Sequence, residues 1–297
     1  MKYAVIEIGT NTVKYSLFNS KLRLIARELD YLRIGEDIEK KWLSTEKEQK
    51  ALSIIKIFFN RAKKSGAEKT IILGTSALRN FRNKEDFSKT VKNVFCVPLK
   101  ILSGEKEAEL TFLGASQSLK NVLKSKKGIY LDIGAGSSEI IISEKNNLIA
   151  QKSIEIGALS IKEKMLSPFN SKSIILEVKR NLRKNITKHF KDSIFLVGVG
   201  GSFTTAASIL LKQKTFNAKM ISKKIFIPDQ FSKLENNLQK ISLRTLCRSY
   251  NLHSRRADLV QSGIAIINSF IEIISPEKIY VSTEGVSKGI VVKFTLK

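Results

Sequence analysis

Cysteine is almost absent from this chain of 297 residues: only Cys96 and Cys247 occur, far apart and outside any CxxC spacing. That excludes a disulfide framework or a thiolate zinc site and leaves two reduced thiols, expected to be mostly buried. Histidine is as scarce, and His189 and His253 are too widely separated for a histidine metal cluster, so both are expected to be structural. Any bound metal should then be a hard cation held by oxygen. Apolar runs are short, none reaching the roughly 18 to 20 residues of a membrane span. The opening MKYAVIEIGTNTVK turns acidic too early for a signal peptide. A cytoplasmic protein with no membrane partner is the expectation. The four prolines, at 98, 168, 228 and 276, mark no long linker. Acids are the last shortage: 27 Asp and Glu stand against 52 Lys and Arg, a formal charge of +25 that draws polyanions to the surface. Nucleic acid is a poor match, because the basic residues are spread along the whole chain with few aromatics among them.

What the chain does have is apolar sequence, 42% of residues, enough for two ordinary domains, and it is organised as an internal repeat. AVIEIGTNTVKYSLF (4–18) and IYLDIGAGSSEIIIS (129–143) share one plan: a buried strand ending in an acid, Ile-Gly, a few small residues, then a second strand. Two similar lobes follow from that. After the first copy LRLIAREL (22–29) reads as a third strand, and three strands on short turns make an antiparallel meander. The period then changes. TEKEQKALSIIKIFFNRAKKSG (45–66) has the apolar spacing of an amphipathic helix, with Thr45 and Glu48 as a capping box and Gly66 as C-terminal cap. TIILGT (70–75) is a strand, KEDFSKTVKNVF (84–95) a helix, LKILS (99–103) a strand and EKEAELTFLGASQSLK (105–120) a helix. This alternation implies parallel pairing through crossover helices, so the fold class is α/β, each lobe a mixed five-stranded sheet flanked by helices. The Lys-rich LKSKKG (123–128) is the expected boundary, which gives domains 1–122 and 123–283.

The glycine-rich turns carry the chemistry. In GIYLDIGAGSSEIII the residues Gly134, Ala135 and Gly136 let the backbone take positive φ and turn its N–H groups outward into a nest for phosphate, with the Ser137 and Ser138 hydroxyls as further donors. Asp132 would be repelled by a phosphate but can hold a magnesium or a water beside it. LVGVGGSFTTAA (196–207) is a third such loop, a strand running through Gly200 and Gly201 to Ser202 and a helix whose N-terminus is an anion site. Its G-x-G-G spacing is not a dinucleotide fingerprint, and no G-x-x-x-x-G-K-[ST] loop occurs. Three such loops converging on a cleft between lobes would make a phosphate site.

At these residues the chain resembles the exopolyphosphatase and guanosine pentaphosphate phosphohydrolase family, within the actin, sugar-kinase and heat-shock ATPase superfamily. EIGTNTVKYSLF (7–18) is similar to that family's D-I-G-S-N-S motif, and GTSALRNFRNKEDF (74–87) to its T-S-A-L-R segment. ILSGEKEAELTFLGA (101–115) resembles I-S-G-x-E-E-A, and the 128–142 stretch resembles D-I-G-G-G-S-T-E. GVGGSFTTAA (198–207) and RRADLVQSGIAII (255–267) resemble the later G-T-G-G-T and E-R-A-D motifs. The resemblance implies two ribonuclease-H-like lobes, a last helix (about 284–297) that returns to the first lobe, and the short two-domain form. It implies release of terminal phosphate from polyphosphate or guanosine pentaphosphate, with Glu107 as catalytic base. Asp132 and Glu139 become the carboxylates that hold the metal and orient water. Glu7, Asp132 and Glu139 form the ligand set for Mg²⁺ or Mn²⁺. Thr10, Asn11, Thr12, Arg79 and the two later loops bind phosphate, although Arg79 could instead be a surface arginine paired with Glu85 or Asp86. Three departures stand out: Glu7 where the family has Asp, Lys106 where it often has a second Glu, and Ala135 where it has Gly. A kinase or ATPase of the same fold, or a polyanion-binding protein, is the alternative. Substrate preference and oligomeric state, including a homodimer, stay open.

Overall fold

The structure is a computed structural model that describes residues 1–37, 41–119, 123, 127–165, 176, 180 and 195–295. It divides into two compact units, Met1–Gly114 with Val286–Lys297, and Ala115–Gly285. His189 and most of the LKSKKG segment lie outside the described residues.

The first unit is built on β1 (Lys2–Ile8), β2 (Thr12–Asn19), β3 (Leu24–Tyr31), β4 (Lys69–Gly74) and β5 (Leu99–Ile101), in the order β3-β2-β1-β4-β5. The first three strands pair antiparallel, while β1–β4 and β4–β5 pair parallel through crossovers. Because side chains alternate along a strand, the central β1 feeds two cores. Ala4, Ile6 and Ile8 pack with Ile54, Ile55 and Phe58 of the Thr45–Lys64 helix and with Phe87 and Val91 of the Lys84–Phe95 helix. Tyr3 and Val5 pack on the other face with Leu110 of the Gly104–Leu119 helix and with Val286, Ile290 and Val291 of the Val286–Thr295 helix. Those last two helices touch backbone to backbone, since a Cβ on Gly289 would stand 1.8 Å from the Leu110 carbonyl oxygen.

The second unit repeats the plan with β6 (Lys127–Ile133), β7 (Ser138–Glu144), β8 (Asn147–Ile154), β9 (Phe195–Val199), β10 (Ile225–Phe226) and β11 (Lys278–Val281), in the order β10-β11-β9-β6-β7-β8. The five-stranded arrangement is present, and the two-residue β10 adds an antiparallel edge to β11. Ile129, Leu131 and Ile133 of β6 pack against Phe203 of the Gly200–Leu210 helix, Phe231 of the Pro228–Leu238 helix, and Ile264, Ile267 and Phe270 of the Val260–Ile274 helix. By length and composition the Ser254–Ile274 stretch could cross a membrane, against the expectation that none could, but it is 72% buried in this core.

Local expectations needed three corrections. The first long helix is capped by Ser44 rather than Thr45: Ser44 Oγ accepts from Lys47 N at 3.4 Å. The sequence offers a hydroxyl at both positions, and only the extended backbone of Ser44 decides between them. Its C-cap is Ser65, with Gly66 in the following left-handed position at φ 67°. Cys96 is exposed rather than buried, because it caps the Lys84–Phe95 helix in the left-handed conformation at the surface, and Cys247 is half-buried.

Candidate active site

In the first unit the candidate residues lie where β1, β4 and β5 end. Glu7 sits opposite Lys14 in the β1–β2 ladder. Lys14 Nζ donates to Glu7 Oε1 at 2.9 Å, and Ser287 Oγ donates to Oε2 at 2.7 Å. Burial pushes this carboxyl up, but the charge and hydrogen bond of Lys14, the Ser287 hydroxyl and the more distant Arg27 charge together hold it below its ordinary value. With an ammonium on one oxygen and a hydroxyl on the other, Glu7 does not fit the third place in a metal ligand set.

Past Glu7 the chain makes a tight turn, with Gly9 N donating to Thr12 O at 2.9 Å. The Thr10 carbonyl accepts from Gly35 N at 3.0 Å, and the Asn11 carbonyl accepts from Leu32 N and Arg33 N at 3.2 and 3.0 Å. A trans peptide sets its N–H opposite its C=O, so these bonds turn the Asn11 and Thr12 amides away from the 32–35 segment. Thr10, Asn11 and Thr12 are all buried.

Arg79 lies on the short Ser76–Asn80 helix after β4. Its Nη1 donates to Leu102 O at 3.1 Å and to Glu107 Oε2 at 2.5 Å. Neither Glu85 nor Asp86 is its partner here: Asp86 pairs with Lys89 at the surface. The helix carrying Glu107 starts at Ser103, whose Oγ accepts from Lys106 N and whose carbonyl accepts from Glu107 N. Three acids crowd this helix start, and tertiary packing separates them. Glu105 is exposed and Glu107 is buried, at 8% exposure, against Arg79. Glu109 is held by Lys106 and Lys293, whose ammonium groups outweigh burial and keep its carboxyl below the ordinary range. Lys106, one of the departures, thus has its own ion pair with Glu109 rather than adding an acid beside Glu107.

In the second unit the candidates gather where β6 and β9 end. Asp132 and Glu139 face each other across the β6–β7 ladder, so their side chains leave the same face of the sheet. Glu139 is 1% exposed and its Oε1 accepts from both Ser137 Oγ and Ser153 Oγ at 2.8 Å. Asp132 is half-buried beside Val199, its register partner on β9. The Gly200–Leu210 helix begins directly on it: a Cβ on Gly200, which sits at φ 83°, would be 2.2 Å from Asp132 Oδ1. Arg256 braces this helix start, its Nη1 donating to Gly201 O at 3.2 Å and to Thr205 Oγ1 at 3.1 Å. Ser202 follows in the first turn, half-buried.

The 134–138 turn closes as the first one does, and the carbonyls it offers to a later segment are shifted by one residue. Gly134 N donates to Ser137 O at 3.0 Å, and the Gly134 and Ala135 carbonyls accept from Ala158 N and Leu159 N at 3.0 and 2.9 Å. The Ala135 and Gly136 amides therefore turn the other way. Positive φ is not how the turn works, contrary to expectation: neither Gly134 nor Gly136 has it. What the turn needs is room. A Cβ on Gly134 would be 3.2 Å from Ser137 O, and one on Gly157 would be 2.3 Å from Ala135 O. Ala135 is accommodated because it packs against Ala158, Leu159 and Leu259.

Among the described residues no three His, Cys, Asp or Glu side chains gather as a metal site. The Asp132–Glu139 pair still suits a magnesium-type cation, which takes one or two carboxylates and completes its shell with water and phosphate oxygens.

A family model for the Ppx/GppA phosphatase family matches residues 14–297. The chain belongs to the Ppx/GppA phosphatase family. It is 28% identical to the bifunctional 3-dehydroquinate synthase/phosphatase of Fusobacterium nucleatum over 94% of this chain and 44% of that protein. It is 23% identical to the guanosine-5'-triphosphate,3'-diphosphate pyrophosphatase of Vibrio cholerae over 97% of this chain and 58% of that one. The chain thus spans about half the length of these curated relatives. A crystal structure of an exopolyphosphatase from Cytophaga hutchinsonii superposes with a TM-score of 0.83 at 22% identity, covering 99% of this chain and 98% of that one. That likeness establishes the fold, two mixed sheets flanked by helices.

Within this Ppx/GppA frame, several residues that shape the site were not evident from sequence. Gly157 has only a weak signal, a glycine between a strand and a helix. Arg256 sits in the RRAD segment, whose pattern says nothing of its partner. Ser287 meets Glu7 across 280 residues, for which no sequence signal exists.

Proposed function

We propose that this chain is a phosphohydrolase that releases the terminal phosphate of inorganic polyphosphate or guanosine pentaphosphate. The observation that carries the reading is the Glu107–Arg79 contact: a buried acid at a helix start, held at 2.5 Å by an arginine, in a chain of the Ppx/GppA phosphatase family. The similarity to a guanosine-5'-triphosphate,3'-diphosphate pyrophosphatase of Vibrio cholerae and to an exopolyphosphatase of Cytophaga hutchinsonii supports the same two substrates.

Glu107 takes the proton of a water as its oxygen bonds to the terminal phosphorus, and the bond from that phosphorus to the bridging oxygen breaks, the electron pair leaving with the shortened chain. Arg79 neutralises phosphoryl oxygens with a planar pair of donors that suits them. The outward amides of Asn11 and Thr12, those of Ala135 and Gly136, and the start of the Gly200–Leu210 helix donate to phosphate oxygens without a charge of their own. A magnesium or manganese ion held by Asp132 and Glu139 would neutralise charge on those oxygens. Phosphate release from long polyphosphate and from guanosine pentaphosphate, assayed side by side with magnesium, tests the reading. Release from neither overturns it.

A further inference from the structure

Beside the Arg79–Glu107 contact, the first unit has a pocket of about 300 Å³ lined by Arg79, Lys84, Glu85, Ile101, Leu102 and Ser103. Lys84 Nζ donates to Arg79 O at 2.9 Å, which ties the start of the Lys84–Phe95 helix to the arginine. The lining is mixed in a way that one of the two substrates does not explain. A polyphosphate chain offers only acceptor oxygens and negative charge. It would be repelled by the Glu85 carboxylate and would gain nothing from the aliphatic walls of Ile101 and Leu102. A purine nucleoside offers the complement, an apolar ring face with N–H donors along one edge. The volume is at the lower limit of small-ligand pockets, and the site is open to solvent with Glu85 exposed at its rim.

We propose that this pocket is a guanosine subsite, in which Glu85 accepts from the N1–H and 2-amino groups of guanine, Ile101 and Leu102 lie against the ring, and Arg79 and Lys84 meet the attached phosphates. The inference rests on the phosphohydrolase reading and selects guanosine pentaphosphate within it. A carboxylate is acceptor-only, with two oxygens that match two neighbouring donors. Adenine presents an unprotonated ring nitrogen and no 2-amino group at that edge, so it is disfavoured by the same acid.

The test compares kcat/KM for guanosine pentaphosphate, its adenosine analogue and long polyphosphate in the wild type, in Glu85→Gln and in the control Asp86→Asn, an exposed neighbour outside the pocket. The expected result is that Glu85→Gln lowers the guanosine-to-polyphosphate ratio by about tenfold, the size of one hydrogen bond to a charged group, and narrows the guanosine-to-adenosine ratio. Asp86→Asn should leave both ratios within about twofold, well inside that effect. Unchanged ratios in Glu85→Gln overturn the subsite, and so does a parallel fall with all three substrates, which would place Glu85 in phosphate binding or folding. If the wild type hydrolyses none of them, the phosphohydrolase reading fails, and thermal shift then judges the pocket alone. Stabilisation by guanosine pentaphosphate over the adenosine analogue, lost in Glu85→Gln, supports it; equal stabilisation, or none, overturns it.

Discussion

The turn between β1 and β2 and the turn between β6 and β7 share a hydrogen-bond skeleton and differ in charge. In each, a glycine N–H closes on a carbonyl three residues on, at 2.9 Å for Gly9–Thr12 and 3.0 Å for Gly134–Ser137. In each, two consecutive carbonyls are taken by amides from a later segment, with an offset of one residue: Thr10 and Asn11, after the glycine, by residues 32, 33 and 35 in one unit, and Gly134 itself and Ala135 by residues 158 and 159 in the other. The ladder position opposite the strand acid is where they part: Glu7 faces Lys14, whereas Asp132 faces Glu139. One acid is neutralised where it stands, and the other is doubled. The closing bond of the turn therefore recurs, while at this ladder position the second unit sets two carboxylates side by side. Opposite charges across a ladder stabilise the sheet and like charges cost it, a cost that the cation proposed above would offset in the second unit.

The largest expected effect sharpens what the first unit contributes if it does not hold the metal. Glu107→Gln keeps the shape and removes the proton acceptor, so turnover should fall by about 10² to 10⁴ with the melting temperature preserved. Glu105→Gln, at an exposed position of the same helix start, should keep most activity. Wild-type turnover in Glu107→Gln, or loss explained by unfolding, would remove the base.

The shared skeleton is tested with methyl groups. Gly9→Ala and Gly134→Ala put a Cβ at 3.3 and 3.2 Å from the equivalent carbonyl, so both should cost about 1 kcal/mol, at the low end of overpacking. Gly157→Ala, at 2.3 Å from Ala135 O, should cost about 2–3 kcal/mol, because backbone rather than a flexible side chain must give way. Denaturant unfolding of the three variants decides it: very different costs at 9 and 134 would break the equivalence of the turns.

The charge difference is tested by titrating metal. Asp132→Asn should raise the magnesium concentration for half-maximal activity by about tenfold, since an amide holds a hard cation less well than a carboxylate. Glu7→Gln should leave that midpoint in place. A shift of equal size in both variants would return Glu7 to the ligand set.

The smallest effect is on stability and pH. Glu7→Gln weakens the bonds to Lys14 and Ser287 and should cost about 1 kcal/mol at neutral pH. The folded carboxyl of Glu7 is held below its ordinary 4.5. Its contribution is therefore fully present above about that pH and is lost as pH falls through the lower folded value. Thermal melts from pH 6 to pH 3 should show the wild type losing more stability than Glu7→Gln. Parallel curves would mean that the pair contributes nothing.

Much of the frame was legible because it rests on local pattern. The Lys84–Phe95 helix and the strand-to-helix step at Val199–Gly200 fall where periodicity and glycine placement put them. The repeat between 4–18 and 129–143 correctly implied two related sheets. The Ser44 cap, the exposed Cys96 and the φ of Gly134 and Gly136 were misread, since each depends on the backbone path of neighbouring residues rather than on residue type.

Residue type and spacing by themselves determined the alternation of strands and helices, the two glycine turns and the hard-oxygen character of any cation site, because these follow from backbone sterics and side-chain chemistry within a few residues. Only the tertiary structure decided which acids stand alone and which are answered. Ser287 reaches Glu7 from the far end of the chain, Arg79 finds Glu107 across a crossover, and Lys293 joins Lys106 on Glu109. The energy of a charge is set by what is folded against it, and those partners are separated in sequence by far more than any local pattern can span.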